Sequence, residues 1–431
     1  MTLYAALSAL LLAAAAPAAG ADTAWLASWS ASPQAVWQPD FILPANVPAR
    51  LHDQTVRQVA RLSVGGARLR LVLSNAHGGA PLQVGAVTLA LAAGGSAVAP
   101  HSLRTVTFAG SNTATIAPGA PLVSDPVTLT VPDLARLTVS IHLPQDAAVK
   151  TFHWDGRETA WIAPGDRSGA AAIDARLPGL HTTTARLLLS SIEVAAAPAA
   201  SAVAVLGDSI SDGAGASLGR DTRWPDVLAE RLAPHGVAVI NAGISGARLL
   251  TDGMGVNALA RLERDVLAQP GVRTAIVLLG INDISWPGTA FAPHGRRPAL
   301  QELTDGYRQL LAQARSHGVR VIGATLTPFE GALPGTPLAN YYQPEKELLR
   351  QQLNDWIRHS GSFDAVLDAD VLLRDPVQPR RLLPAYDSGD HLHPGDAGNR
   401  ALAEAVDLRR LLPALTGQPQ SPNPAYSAVL R

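Results

Sequence analysis

Four short segments of this chain hold residue types that acyl transfer requires: Ser209 in Gly207-Asp208-Ser209-Ile210, Gly243 in Asn241-Ala242-Gly243, Asn282 in Gly280-Ile281-Asn282-Asp283, and Asp390 with His393 in Asp390-His391-Leu392-His393. Such chemistry needs a nucleophile, a base that takes its proton, a group that orients the base, and donors for the oxyanion of the tetrahedral intermediate. Ser209 supplies a hydroxyl at the end of an apolar run, and Gly213 and Gly215 beyond it are read as giving the backbone room to approach a substrate. A carboxylate three residues ahead of an imidazole, as in Asp390 and His393, accepts from one ring nitrogen while the other faces the serine. The Asn282 amide and the backbone N–H groups of Ser209 and Gly243 are the candidate oxyanion donors. His391, too close to Asp390 to reach the same way, is read as structural or as part of the rim. Each segment alone has a plainer reading. Ser209 fits a helix cap or phosphate-binding turn, Gly243 a turn glycine, Asn282 an Asx-turn, and residues 388–395 a polar loop before a helix.

The elements that must hold these groups follow from periodicity. From Val203 onward, apolar runs (Val203 to Leu206, Val237 to Ile240, Ala275 to Leu279, Val319 to Ile322, Ala365 to Leu367) alternate with helical spacings. Leu300, Leu303, Tyr307, Leu310, Leu311 and Ala314 make one apolar helix face. Trp224, Val227, Leu228 and Leu232 make a second, and Leu348, Leu349, Leu353 and Trp356 a third. Strands buried on both faces and joined by helices predict a doubly wound parallel sheet of α/β class, flavodoxin-like. Its ligands bind beyond the carboxyl ends of the strands, where Ser209, Gly243 and Asn282 emerge. Before this, from Trp25 to about Ala196, period-two runs such as Val127-Thr-Leu-Thr-Val131 are broken by Gly/Pro turns and predict an all-β sandwich or jelly roll. The chain therefore divides into residues 1–21, a β-sandwich domain over 22–198, the α/β domain over 199–412, and a loose tail over 413–431.

Composition narrows the partners. The chain has 431 residues, too many for one core and enough for two, with 47 % hydrophobic and 16 % charged residues and a net charge of −1. Near-neutrality without a basic run argues against a nucleic-acid partner. The chain holds no cysteine, which excludes disulfides and thiolate chemistry. Residues 1–21, with the apolar Leu10–Ala16 and the Ala19-Gly-Ala21 site, resemble a secretory signal peptide lacking a basic start; they predict a secreted or periplasmic protein with no membrane span once matured. No cofactor or metal is expected.

The four motifs, in this order, resemble the SGNH or GDSL hydrolase superfamily from about Ala202 to Arg410. The resemblance implies Ser209 as nucleophile, His393 as base and acid, Asp390 as its orienter, and Ser209, Gly243 and Asn282 as the oxyanion hole. Asp208 is then a turn residue outside the triad. Ala27-Ser-Trp-Ser-Ala-Ser-Pro33, Leu71-Val-Leu-Ser-Asn75 and Trp224-Pro-Asp226 are similar to the β-domain group of bacterial secreted SGNH esterases, which implies no chemistry for that half. The expected function is a serine esterase on a small-molecule or polysaccharide acyl ester, with acetyl groups on carbohydrates first and aryl or short-chain lipid esters second. Two other classes stay open. A metal-dependent phosphoesterase would gather Asp208, Asp212, Asp283, Asp390, His391 and His393, and a noncatalytic glycan-binding protein would keep the fold without the chemistry; the tryptophans of the β half are read as core and interface packing rather than sugar stacking.

Overall fold

The computed structural model describes residues 24–197 and 200–411. The expected signal segment, the expected domain junction at 198–199 and the expected tail lie outside the described residues.

The first half is built from antiparallel strands. One sheet runs in the spatial order Trp25–Ser30, Leu189–Ala195, Gly66–Ser74 and Pro121–Val123, with Val127–Val131 also paired to Gly66–Ser74. Because Trp25 pairs with Ala195, the first and last strands of this half are neighbours. A second sheet orders His181–Thr183, Ala160–Pro164, Gln54–Arg61, Arg136–Leu143, Val87–Gly94 and Ala97–Val98. Val127–Val131 buries every second residue, as its sequence predicts. The central strands depart from alternation: Gln54–Arg61 and Arg136–Leu143 are buried on both faces. The cause is residues 165–173, which cover the outer face. Arg57, fully buried, donates to the carbonyls of Ser96, Arg167 and Ala170, and Thr88 donates to that of Ser168. The polar residues of the pattern meet loop carbonyls where a two-layer sandwich would give them water.

The second half is a parallel sheet, whose strands we number β1 (Ser201–Gly207), β2 (Val237–Asn241), β3 (Val272–Leu278), β4 (Arg320–Ala324) and β5 (Ala365–Leu367). Their spatial order is β2-β1-β3-β4-β5, so the chain reverses direction across the sheet between β1 and β3. In doubly wound sheets that switch point is where loops diverge and a ligand enters. The helices that bear on the site are α1 (Ser209–Asp212), α2 (Trp224–Leu232), α3 (Ile281–Ser285), α4 (Leu300–Ser316), α5 (Pro344–His359) and α6 (Asp396–Ala405). On α4, Leu303, Tyr307, Leu310, Leu311 and Ala314 are buried as their spacing predicts, at about 1.5–3 kcal/mol for each of the larger side chains. On α5 the predicted face is shifted. Leu348 is 57 % exposed, and Leu349, Leu353 and Ile357 form the apolar seam. Lys346, Glu347, Arg350 and Asn354, buried beside it, are paired through hydrogen bonds, so part of this helix is buried by polar pairing that no hydrophobic pattern reveals. Among the described residues no helix is long and apolar enough to cross a membrane.

Candidate active site

The apolar strand β1 ends at Gly207, and the chain turns at once into α1. Asp208 caps that helix, its Oδ1 accepting from Ile210 N–H at 3.0 Å. Ser209 is the first helical residue, so its own N–H has no intrahelical acceptor and its side chain stands at the strand's carboxyl end. Its Oγ lies 2.8 Å from His393 Nε2, and His393 Nδ1 lies 2.6 Å from Asp390 Oδ2. The other Asp390 oxygen accepts from the backbone N–H groups of Leu392 and His393. Burial pushes the Asp390 carboxyl up, but the bond to His393, its charge and the two amides outweigh it and hold the group well below the usual carboxylate range.

The loop bearing His393 is held from below. Asn399, fully buried on α6, donates to the carbonyls of Pro394 and Gly395 and accepts from Trp224 N–H at the start of α2. Gly215, at φ +86°, lets this loop lie close: a Cβ there would sit 2.8 Å from Pro394 O and 3.2 Å from His393 Cβ. Gly213, expected with Gly215 to let the backbone approach a substrate, lies instead against protein, since a Cβ there would strike the Arg223 side chain. His391 points elsewhere, 2.5 Å from Asp387 Oδ2 and 47 % exposed.

Asn282 follows β3 at the second position of α3. Tyr341 hydroxyl donates to its Oδ1 at 2.7 Å, and its Nδ2 donates to Ala247 O at 3.0 Å. These contacts orient the amide and leave one Nδ2 hydrogen uncommitted. Tyr341 is buried, and Asp208, Asp283 and Asp390 all act on its hydroxyl, which burial raises far above the ordinary phenol value.

Gly243 corrects the sequence expectation. Its N–H is not open to an acyl oxygen but donates to Asn241 Oδ1 at 2.9 Å, while Asn241 Nδ2 donates to Ser211 O on α1. The glycine is needed for a different reason: a Cβ would fall 2.6 Å from Asp212 N, so only glycine lets this loop lie against α1. Three residues on, Gly246 has φ +71° in the turn closed by Ala247 N–H to Ile244 O. Positive φ at the third position is the mark of a type II turn. Among the described residues the Gly246 N–H has no hydrogen-bond partner, and the next residue's carbonyl is the one that holds the Asn282 amide. Sequence reasoning passed over Gly246 because the segment Asn241-Ala-Gly-Ile-Ser-Gly246 offers two glycines and no local sign of which amide is free.

The carboxylates that a metal site would require are dispersed. Asp212 pairs with His153, Asp283 accepts from the N–H groups of Leu249 and Leu250, and Asp390 serves His393. No cluster of three or more metal-ligating side chains forms among the described residues. Beside Gly246 stands Trp286, from which a row of rings crosses to the β half. Trp286 stacks on Phe291 at 4.5 Å between centroids, Phe291 on Phe41 at 5.8 Å, and Trp37 lies 4.6 Å from Phe41 and 5.2 Å from Trp154. Trp37, Phe41, Trp154 and Phe291 are only half-buried.

The parallel sheet of this strand order thus places a hydrogen-bonded Ser209–His393–Asp390 relay at its switch point. Residues 205–401 match the GDSL-like Lipase/Acylhydrolase family, and that match supports a carboxylic ester hydrolase. No curated protein matches the chain. Among solved structures, similar chains include an aryl esterase from M. smegmatis (18 % identity, 50 % of this chain and 100 % of that one, TM-score 0.39). A GDSL-like lipase from Bacteroides thetaiotaomicron is 15 % identical over 50 % of this chain and 89 % of its own, with a TM-score of 0.37. An acetyl xylan esterase is 21 % identical over 47 % and 96 %, with a TM-score of 0.33.

Proposed function

We propose that the protein is an exported serine esterase that removes short acyl groups, acetyl foremost, from carbohydrate hydroxyls through an acyl-enzyme. The observation that carries this reading is the relay Ser209 Oγ, His393 Nε2, His393 Nδ1, Asp390 Oδ2 at 2.8 Å and 2.6 Å. Ser209 Oγ attacks the acyl carbon as its proton passes to His393 Nε2, and the imidazolium formed is stabilised by the Asp390 carboxylate. The carbonyl oxygen, now an oxyanion, takes hydrogen bonds from Ser209 N–H, the free Nδ2 hydrogen of Asn282 and, in place of Gly243, the Gly246 N–H. Collapse of the intermediate expels the alcohol, which leaves with the proton from His393. Water then attacks the acyl-enzyme with His393 again as base, releasing the acid.

The half-buried aromatic row beside the Gly246 turn supports a ring-bearing alcohol, because flat apolar faces with polar rims accept a sugar ring by stacking. The same row favours a second reading, an aryl ester, for the same physical reason. Hydrolysis rates on acetylated glycans and on nitrophenyl esters of increasing acyl length separate the two and set the acyl limit. The relay itself is tested by Ser209→Ala. Loss of turnover and of labelling by an organophosphonate is expected, and a folded Ser209→Ala protein that still turns over would refute the assignment.

A further inference from the structure

We propose that His153, contributed by the β half, is a positioning residue for catalysis: through Asp212 it holds the Ser245–Gly246 peptide whose N–H receives the oxyanion. The proposal rests on the serine esterase reading above and extends it across the molecule.

The chain of contacts is short and buried. His153 Nε2 lies 2.9 Å from Asp212 Oδ1, with the two side chains 5 % and 2 % exposed. On the ring's other side Nδ1 lies 3.1 Å from Ser32 O. The ring thus bridges an acceptor within the β half, Ser32 O, and one in the hydrolase half, Asp212 Oδ1. Asp212 is the last residue of α1, the helix that begins with Ser209. Its second oxygen accepts from Ser245 N–H at 2.8 Å and Ser245 Oγ at 2.7 Å. Burial drives the Asp212 carboxyl up, but the charge and hydrogen bond of His153 and the two bonds from Ser245 prevail and keep it below its ordinary value.

Ser245 is the second residue of the turn in which Gly246 is third. Type I and type II turns differ by a flip of the peptide between those two residues, and that peptide carries the Gly246 N–H. Anchoring Ser245 at both its amide and its hydroxyl sets the plane of the next peptide. The far side of the turn is also braced from the β half: Gln34 Nε2 and Trp37 Nε1 both donate to Met254 O, at 2.8 Å and 2.9 Å, and the Met254 side chain packs where a Cβ on Gly246 would be. A pair of apolar side chains would join the two halves without the desolvation cost of a buried ion pair. What the ion pair adds is direction, which a turn with two peptide orientations requires.

The test is His153→Ala in the full chain, assayed per active site after titration with an organophosphonate. A kcat per titrated site lowered about 10²-fold, as a displacement of roughly 1 Å at a reacting centre produces, with KM little changed and partial recovery on adding imidazole, supports the proposal. Fewer titratable sites, each with the parent's kcat, is the signature of packing alone and overturns it. Should His153→Ala fail to fold, the isosteric Asp212→Asn is measured in the same way: a lowered kcat per site supports the proposal and an unchanged one overturns it. Ser209→Ala, run in parallel, separates the two claims. If it retains turnover the esterase reading fails. If it is inactive while the His153 and Asp212 variants match the parent per site, only the positioning role fails.

Discussion

At the residue scale, the division of labour around Ser209 depends on which hydrogen-bonding groups are already spent. Asn282 gives one amide hydrogen to Ala247 O and receives the Tyr341 hydroxyl on its oxygen, so its remaining hydrogen is aimed before any substrate arrives. Asn282→Ala is expected to cost about 10² to 10³ in kcat, as loss of other oxyanion donors does. Tyr341→Phe removes only the neutral bond that orients the amide, worth about 0.5–1.5 kcal/mol. A fall in kcat of several-fold with unchanged KM, measured on one nitrophenyl ester, is the expected result. Asp208 behaves differently. Burial pushes its carboxyl up to about 7 against the lowering effect of Ile210 N–H and His393, and its Oδ2 is buried without a partner. An unfolded aspartate titrates near 3.9, so the folded state holds a proton that the unfolded chain gives up. Its contribution to stability is intact below about pH 4, declines as pH rises, and is gone above about pH 7. Asp208→Asn keeps the helix cap and removes the titration. Urea unfolding at about pH 5 and about pH 8 should show a smaller loss of stability with rising pH in this variant than in the parent. Some loss remains, because burial also raises Asp283, to about 6.

At the element scale, the site is three strand ends and one loop pressed together until only glycine fits between them. The His393 loop rests on Gly215 and the β2 loop rests on α1 at Gly243, each with Cβ space of less than 3 Å to backbone. Gly215→Ala is therefore expected to displace the loop that carries the base. Slower phosphonate labelling of Ser209, by about 10-fold or more, with secondary structure retained by circular dichroism is the predicted signature. An unchanged labelling rate would mean that the loop yields without moving His393. The helices behind the loops do quieter work, and Asn399 shows how. One amide side chain ties the start of α2 to the two carbonyls that precede α6.

At the scale of the whole molecule, the β half is joined to the hydrolase half by groups that a detachable module would not bury. Ala27 N–H donates to Pro270 O, Ser63 Oγ to Val239 O, and Arg264 to Pro33 O, alongside the His153–Asp212 pair. The apolar core runs without a break from Leu26 and Ile192 into Val203 and Val239. A single cooperative transition is expected when the full chain is unfolded in urea, with tryptophan fluorescence and esterase activity lost together. Two separated transitions would show that the halves fold independently. Residues 200–411 produced without the β half would expose Asp212, Arg261 and the face of β2, and inactive or aggregated protein is the expected outcome.

Much of this was readable along the chain because strands buried on both faces and amphipathic helices advertise themselves by periodicity. The order of the apolar runs determined the parallel sheet, and the strand-terminal positions of Ser209 and Asn282, with the three-residue spacing of Asp390 and His393, determined what chemistry could meet there. The exposure of Leu348 and the covered outer face of the central strands in the β half escaped because burial around them is achieved by polar pairing, which leaves no hydrophobic pattern. Only the tertiary structure could choose between Gly243 and Gly246, since a backbone amide is free or spent according to neighbours dozens of residues away. It alone could bring His153 to Asp212 across the two halves, because a buried ion pair leaves no trace in local spacing and exists only once both surfaces have closed over it.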